Sequence, residues 1–172
     1  LDGDEEWTAE GGPYRLRGNV RVPDGTTLRI RPGTVVLADA DAAIIVSGEL
    51  RAEGSEESPI IMRAFSCADE WGGIAFNETC TDENDPTHLL SFCDIRGGSN
   101  PNGYDGCIAP TDSRLLVTDC HLENIPATAI DGLDAVLEVR RTTIRNIFEG
   151  IHCEDSDTIV LDTIIENVMG NS

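Results

Sequence analysis

The feature that most constrains this chain is a repeat in its last third. Leu122-Glu123-Asn124-Ile125 aligns with Ile144-Arg145-Asn146-Ile147 and Ile165-Glu166-Asn167-Val168 at offsets of 22 and 21 residues. Two columns are aliphatic and one is all Asn (Asn124, Asn146, Asn167). Repeats of about 20 to 50 residues denote stacked units that bury their apolar faces only against each other. Units this short and this rich in β-branched residues are coils of a β-solenoid.

The polar columns agree with stacking at about 4.8 Å, the separation of hydrogen-bonded strands. Asp94-Ile95-Arg96-Gly97 joins the alignment one coil earlier, which makes one column Arg96, Glu123, Arg145, Glu166. A second reads Asp119, Arg141, Asp162. Opposite charges on neighbouring strands attract and like charges repel, so alternation is the expected sign of a real stack. Asn tolerates the left-handed backbone region, so its column marks a tight corner where side-chain amides can also bond along the axis.

Earlier in the chain short apolar runs alternate with Gly/Pro turns. Strands are predicted at Val20–Val22, Leu28–Ile30, Val35–Leu37, Ile44–Val46, Leu50–Ala52 and Ile60–Met62. Pairing Val20 with Ile44, Leu28 with Leu50 and Val35 with Ile60 gives offsets of 24, 22 and 25, hence three strands per coil. Trp71–Phe76 and His88–Arg96 read as further strands, and the segments 77–87 and 97–106 as inserted loops rich in Asn, Asp, Gly and Pro. Residues 1–12 read as an N-terminal tail or cap, in which Trp7 lies loose or plugs the first coil.

The order Trp7-Thr8, Pro13-Tyr14-Arg15-Leu16, Gly18-Asn19-Val20, Gly25-Thr26-Thr27-Leu28, Pro32-Gly33-Thr34-Val35, Gly48-Glu49-Leu50 and Trp71-Gly72-Gly73-Ile74 resembles that of secreted bacterial right-handed parallel β-helix proteins of the pectin-lyase-like kind. The later coils resemble that family's parallel β-helix repeats. The expected fold is therefore all-β: one domain over residues 1–172, a right-handed parallel β-helix of six to seven coils with three short strands each. The resemblance implies little about activity, because such β-helices include surface proteins, adhesins, assembly modules and polysaccharide enzymes.

Charge narrows the partners. The chain carries 32 acids against 12 bases, a formal charge of −20, and every base is Arg. Such a surface repels nucleic acid and anionic membranes. No stretch is long and apolar enough to span a bilayer as a helix. Six cysteines without a CxxC or zinc-type spacing suit an oxidising compartment. The chain begins at Leu1 rather than Met, as a processed secreted chain or a piece of a longer one would. An extracellular or cell-surface location is expected.

Cys67, Cys80, Cys93, Cys107, Cys120 and Cys153 are the disulfide candidates. Cys67–Cys80 would bracket the Trp71 strand and is the preferred bridge; Cys93 has either Cys107 or its column neighbour Cys120, which also suits stacked free thiols. No metal site or cofactor is evident. Calcium is the one cation the acidic turns suit, through Asp39 and Asp41 or Asp155 and Asp157, although none has the spacing of a defined calcium loop. Asn77-Glu78-Thr79 is a formal glycosylation sequon.

Polysaccharide lyases of this fold use an Arg or Lys base beside calcium-binding acids, and its glycoside hydrolases use facing carboxylates. Arg140, Arg141 and Arg145 lie near Asp119, Glu123, Asp162 and Glu166, but the ladders account for all these arginines except Arg140. His88, His121 and His152 occur singly. The expected function is a non-catalytic extracellular structural protein that binds copies of itself through its ends, forming a filament or surface array. The alternatives are a carbohydrate- or calcium-binding surface module, then a polysaccharide lyase or glycoside hydrolase.

Overall fold

In a computed structural model the chain is described over residues 1–66, 70–77, 88–99 and 106–170. Every strand pairing among these residues is parallel, and the strands wind as successive coils. The first coil holds β1 (Glu5–Trp7), β2 (Tyr14–Leu16) and β3 (Val20–Val22). The second holds β4 (Thr27–Ile30), β5 (Val35–Ala38) and β6 (Ala43–Val46), and the third β7 (Glu49–Glu53), β8 (Ile60–Ala64) and β9 (Gly73–Asn77). The fourth holds β10 (His88–Ser91), β11 (Cys93–Arg96) and β12 (Ile108–Thr111). In the fifth, β13 (Arg114–Thr118) is followed by β14 (His121–Leu133), which turns a corner without ending; in the sixth, β15 (Val136–Arg140) and β16 (Thr143–Glu154) repeat this. Among the described residues the seventh holds β17 (Asp157–Leu161) and β18 (Ile164–Val168). The result is a parallel β-helix.

Inward side chains form continuous lines. On the first side Trp7, Ile30, Ala52, Leu90, Val117, Val139 and Val160 are successive register partners. On the second side the line is Tyr14, Val36, Met62, Ile95, Leu122, Ile144, Ile165, and on the third Val20, Ile44, Ile74, Ile108, Ile130, Ile151. Such a core needs aliphatic residues of even size, which is why aromatics are only 5% of the chain.

Corners are set by left-handed residues. Phe92, Asp119, Arg141 and Asp162 turn the chain from the first side to the second, all with φ between 44° and 56°. Gly97, Asn124, Asn146 and Asn167 make the next corner, and Asp112, Asp134 and Asp155 the third. Gly, Asn and Asp reach this region cheaply; Phe92 and Arg141 do so at a cost the stacked corners impose.

Three readings of the sequence need correction. Val35 pairs with Ile61, not Ile60, because Val36 and Met62 must share the buried face. The run 88–96 is two strands, since Phe92 is a corner. Glu5–Trp7 is neither tail nor detached plug but the first rung of the first side, with Trp7 buried and its ring stacked 4.8 Å from that of Tyr14.

Candidate functional site

The second side carries the charge column. Arg15, Leu37, Arg63, Arg96, Glu123, Arg145 and Glu166 are consecutive register partners along the whole rod. Glu123 lies between Arg96 (3.5 Å) and Arg145 (3.1 Å, without the alignment of a hydrogen bond). Alternation stops at Arg96, whose other neighbour is Arg63; Asp94 offsets that contact through two 2.7 Å hydrogen bonds accepted from Arg96. At the corner Arg141 donates to both carboxylate oxygens of Asp119 at 2.7 Å and to Thr118 Oγ1 at 2.8 Å. That hydrogen bonding holds the Asp119 carboxyl below its usual range and raises the Arg141 guanidinium, to which Asp162 also contributes. The amides stack too: Asn167 Nδ2 donates to Asn146 Oδ1 (3.1 Å), and Asn146 Nδ2 to Asn124 Oδ1 (3.3 Å).

The residue after the first corner forms an inner polar column, of which the sequence disclosed Cys93 and Cys120 but not the continuation through Thr142 and Thr163. Cys93, Cys120, Thr142 and Thr163 each donate to the carbonyl two residues back. The Cys93 amide donates to Cys120 Sγ, and the Cys120 amide to Thr142 Oγ1, both at 3.4 Å. Here the thiols act as substitutes for threonine hydroxyls. Cys93, Cys107, Cys120 and Cys153 are all free, so neither candidate bridge of Cys93 exists in this structure. Cys107 is one corner away against Gly98, where a Cβ would fall 2.1 Å from its Sγ. Hydrogen bonding to Cys120 and burial raise the Cys93 thiol, and burial pushes Cys107 up to about 12. Cys67 and Cys80 lie outside the described residues, as do Glu78 and Thr79 of the sequon and most of the two inserted loops.

Two grooves hold the groups with the most chemistry. One, of about 500 Å³, is walled by Phe92, Asp94, Asp119, His121 and Arg141. Asp94 is bound to Arg96 there, and Asp119 to Arg141; an arginine held this way is no proton acceptor. The other, of about 460 Å³, lies over β14 and β16 beside Phe148, Thr128, Glu149, Asp131 and His152. His152 Nδ1 is 3.2 Å from Asp131 Oδ1, which raises the imidazole above its usual range. Arg140 contacts Glu138 on its own strand. Sequence reasoning missed Phe92 because its residue type is unlike the Asp119, Arg141 and Asp162 that share its corner column, and Phe148 because no polar rung marks its position.

His88 is different. Its ring is fully buried on β10 between the Leu50 and Leu115 rungs, accepts the Leu50 amide at Nδ1 (3.2 Å) and lies 4.6 Å from the Phe76 ring. Burial lowers its pKa to about 4. Among the described residues no three His, Cys, Asp or Glu side chains converge on a metal position. Of the calcium candidates, Asp39 is taken by Arg15 (2.9 Å), Asp41 and Asp155 are left-handed corner residues, and Asp157 begins β17. Among the described residues no helix is long and apolar enough to cross a membrane.

The ends of the rod differ sharply. At the N-terminal end Trp7, Leu16 and Val22 are buried, with Leu1 packed against the core. At the other end Val160, Ile165 and Val168 are 44%, 42% and 50% exposed, whereas their partners one coil below, Val139, Ile144 and Ile147, are fully buried. Ile159, Leu161, Ile164 and Met169 add to this apolar surface.

Fold and ladders together define a parallel β-helix protein. Residues 4–88 match the family model described as a pectate-lyase like beta helix domain, which agrees with the β-helix fold. A 58-residue stretch, 34% of the chain, is 38% identical to Protein bark beetle of Drosophila melanogaster and spans 2% of that protein's length. No solved structure matches the chain.

Proposed function

We propose that this is a non-catalytic extracellular structural β-helix that self-associates end to end. The observation that carries this reading is the seventh coil: a row of aliphatic side chains, continuous with the buried core, is exposed beside edges of β17 and β18 that no strand pairs among the described residues. An exposed apolar face of this kind marks an interaction surface, and a free strand edge is a template for another strand. The commitment of Arg96, Arg141 and Arg145 to carboxylates supports a structural over a catalytic role. The acidic surface is compatible with an extracellular setting. Light scattering over a range of concentrations, with electron microscopy of the same samples, tests the reading: mass should grow with concentration, and a constant monomer mass would refute it.

A second reading, a carbohydrate-binding face, draws on Phe148. Its half-exposed ring stands beside Thr128, Glu149 and Asp131 in the groove over β14 and β16, an apolar platform with hydrogen-bonding groups around it. Phe148→Ala should abolish retention on immobilised neutral polysaccharide if this face binds sugar; no retention of the unaltered protein would dispose of the idea.

A further inference from the structure

Strands β14 and β16 pair rung for rung except at one place. Ile125 is set against Ile147 and Thr128 against Glu149, so Pro126 and Ala127 together stand opposite Phe148. A bulge of this kind bends its strand and re-aims the side chains beside it. The Phe148 ring opposite it is 49% exposed on the flank of the rod, on the wall of the groove of about 460 Å³. The other walls come from neighbouring coils: Gly106 precedes β12, Thr128 and Asp131 belong to β14, and Glu149 and His152 to β16. Gly106 has a φ of 88°, and a Cβ on it would fall 2.8 Å from that of Asp131, so only glycine lets the backbone close on this carboxylate.

The polar groups on these walls are not equivalent. Asp131 Oδ1 lies 3.2 Å from His152 Nδ1, and the two residues are register partners. Thr128 Oγ1 donates to Glu149 Oε2 at 3.1 Å, while Glu149 Oε1 accepts no hydrogen bond among the described residues. No arginine lines the groove, so even with His152 protonated its two carboxylates leave it one negative charge. The whole chain, at −20, adds a field of the same sign. An open aromatic face beside a carboxylate with a free oxygen suits an organic ammonium ion, which the ring attracts through its π-face and the carboxylate pairs with directly. A pyranose adds a flat C–H face for the ring and hydroxyls for Thr128, Asp131 and His152. A uronic acid in the same place would set its carboxylate against Glu149 and Asp131.

We propose that the Phe148 groove binds a glycan through a protonated amino sugar, whose pyranose lies on the Phe148 ring and whose ammonium meets Glu149. This rests on the carbohydrate-binding reading above and adds the class of sugar. The groove's volume of about 460 Å³ falls within the range of about 300–1,000 Å³ usual for small-molecule sites. A lysine-rich peptide would satisfy Glu149 but would leave the open face of the ring without a flat partner.

Calorimetric titration at about pH 6, below the range of α-amino-like groups, compares a glucosamine trisaccharide with its N-acetylated counterpart. The amino form should bind the unaltered chain about tenfold more tightly, the equivalent of about 1.4 kcal/mol. It should lose that advantage in Glu149→Gln, which keeps an acceptor for Thr128. Phe148→Ala should weaken both sugars and Phe148→Tyr neither, with circular dichroism to check folding. Raising salt from about 0.05 M to about 0.5 M should weaken the amino form alone. Equal affinity for the two trisaccharides, or an advantage that survives Glu149→Gln, overturns the ammonium contact while leaving a carbohydrate site standing. Trilysine binding as tightly as the amino sugar, with both indifferent to Phe148→Ala, overturns the sugar site in favour of a general attraction for cations. No binding of either trisaccharide overturns the assignment of an amino sugar, and retention on neutral polysaccharide then judges the broader reading by itself.

Discussion

His88 should make the rod acid-labile in a way that a single substitution removes. Its imidazole ordinarily titrates at 6.5 but is held near 4 in the fold, because burial disfavours the charged form and Nδ1 already accepts the Leu50 amide. Below pH 6.5 the unfolded chain binds this proton and the folded chain does not. The neutral ring's contribution is therefore fully present above that pH and is lost as pH falls from 6.5 towards 4. At about 1.36 kcal/mol per pH unit the full loss is about 3 kcal/mol, of which about 2.5 kcal/mol is gone by about pH 4.5. His88→Asn is the informative comparison, since its side-chain oxygen can accept the same amide and does not titrate. The variant should be less stable at neutral pH, having lost ring contact with Phe76. Urea unfolding of both proteins at pH 7 and pH 4.5, followed by circular dichroism, gives the quantity needed: the difference between their stability changes. Carboxylates such as Asp119, and the oppositely shifted, exposed His152, are common to both proteins and cancel. If the two proteins lose stability in parallel, the argument from burial is wrong.

Three further outcomes follow from the ladders. Arg145→Glu sets carboxylates at 123, 145 and 166 in a row and should cost about 1–2 kcal/mol, a figure kept small because Arg145 is partly exposed; urea midpoints measure it, with Arg145→Lys much milder. Asn146→Ala should cost about 1–2 kcal/mol by losing both amide bonds at a left-handed position, while Asn146→Gly should recover the backbone part, as thermal unfolding would show. Alkylation under native conditions, mapped residue by residue by mass spectrometry, should modify Cys153 and spare Cys93, Cys107 and Cys120 until the chain unfolds.

The fold was legible where neighbouring coils share a polar rung. From Asp94 onward the offsets of 27, 22 and 21 residues that align the sequence are also the offsets of the strand register. In the first half the rungs are mostly aliphatic, and an aliphatic residue looks the same one position along; that is how Val35 came to be set against Ile60 instead of Ile61. Phe92 hid a corner because its residue type gives no hint of a left-handed backbone; only the column it shares with Asp119 and Asp162 does. The Cys93–Cys120 column was legible, with free thiols as one of its two readings, but its continuation to Thr142 was obscured because cysteine suggests bridges before it suggests a hydroxyl's role. The grooves lay beyond reach for another reason: their walls come from corners and strand faces far apart in sequence, and only the coil geometry brings Phe92 to Arg141 or Phe148 to Asp131.

The same geometry explains why, among the described residues, the arginines and carboxylates of the ladders are held by one another. A parallel β-helix repeats each outward position every 4.8 Å or so, so every exposed charge acquires neighbours whether or not it has a chemical task. Selection for stacking alone would set Arg141 on Asp119 and Arg145 on Glu123, and would hold the acid below and the arginine above their usual ranges, as Asp119 and Arg141 are held. A catalytic arginine or carboxylate needs the reverse: a pKa moved towards the working pH, and a free face towards substrate. In this rod the groups with exposed, unrepeated character are elsewhere, among them Phe148 and its groove.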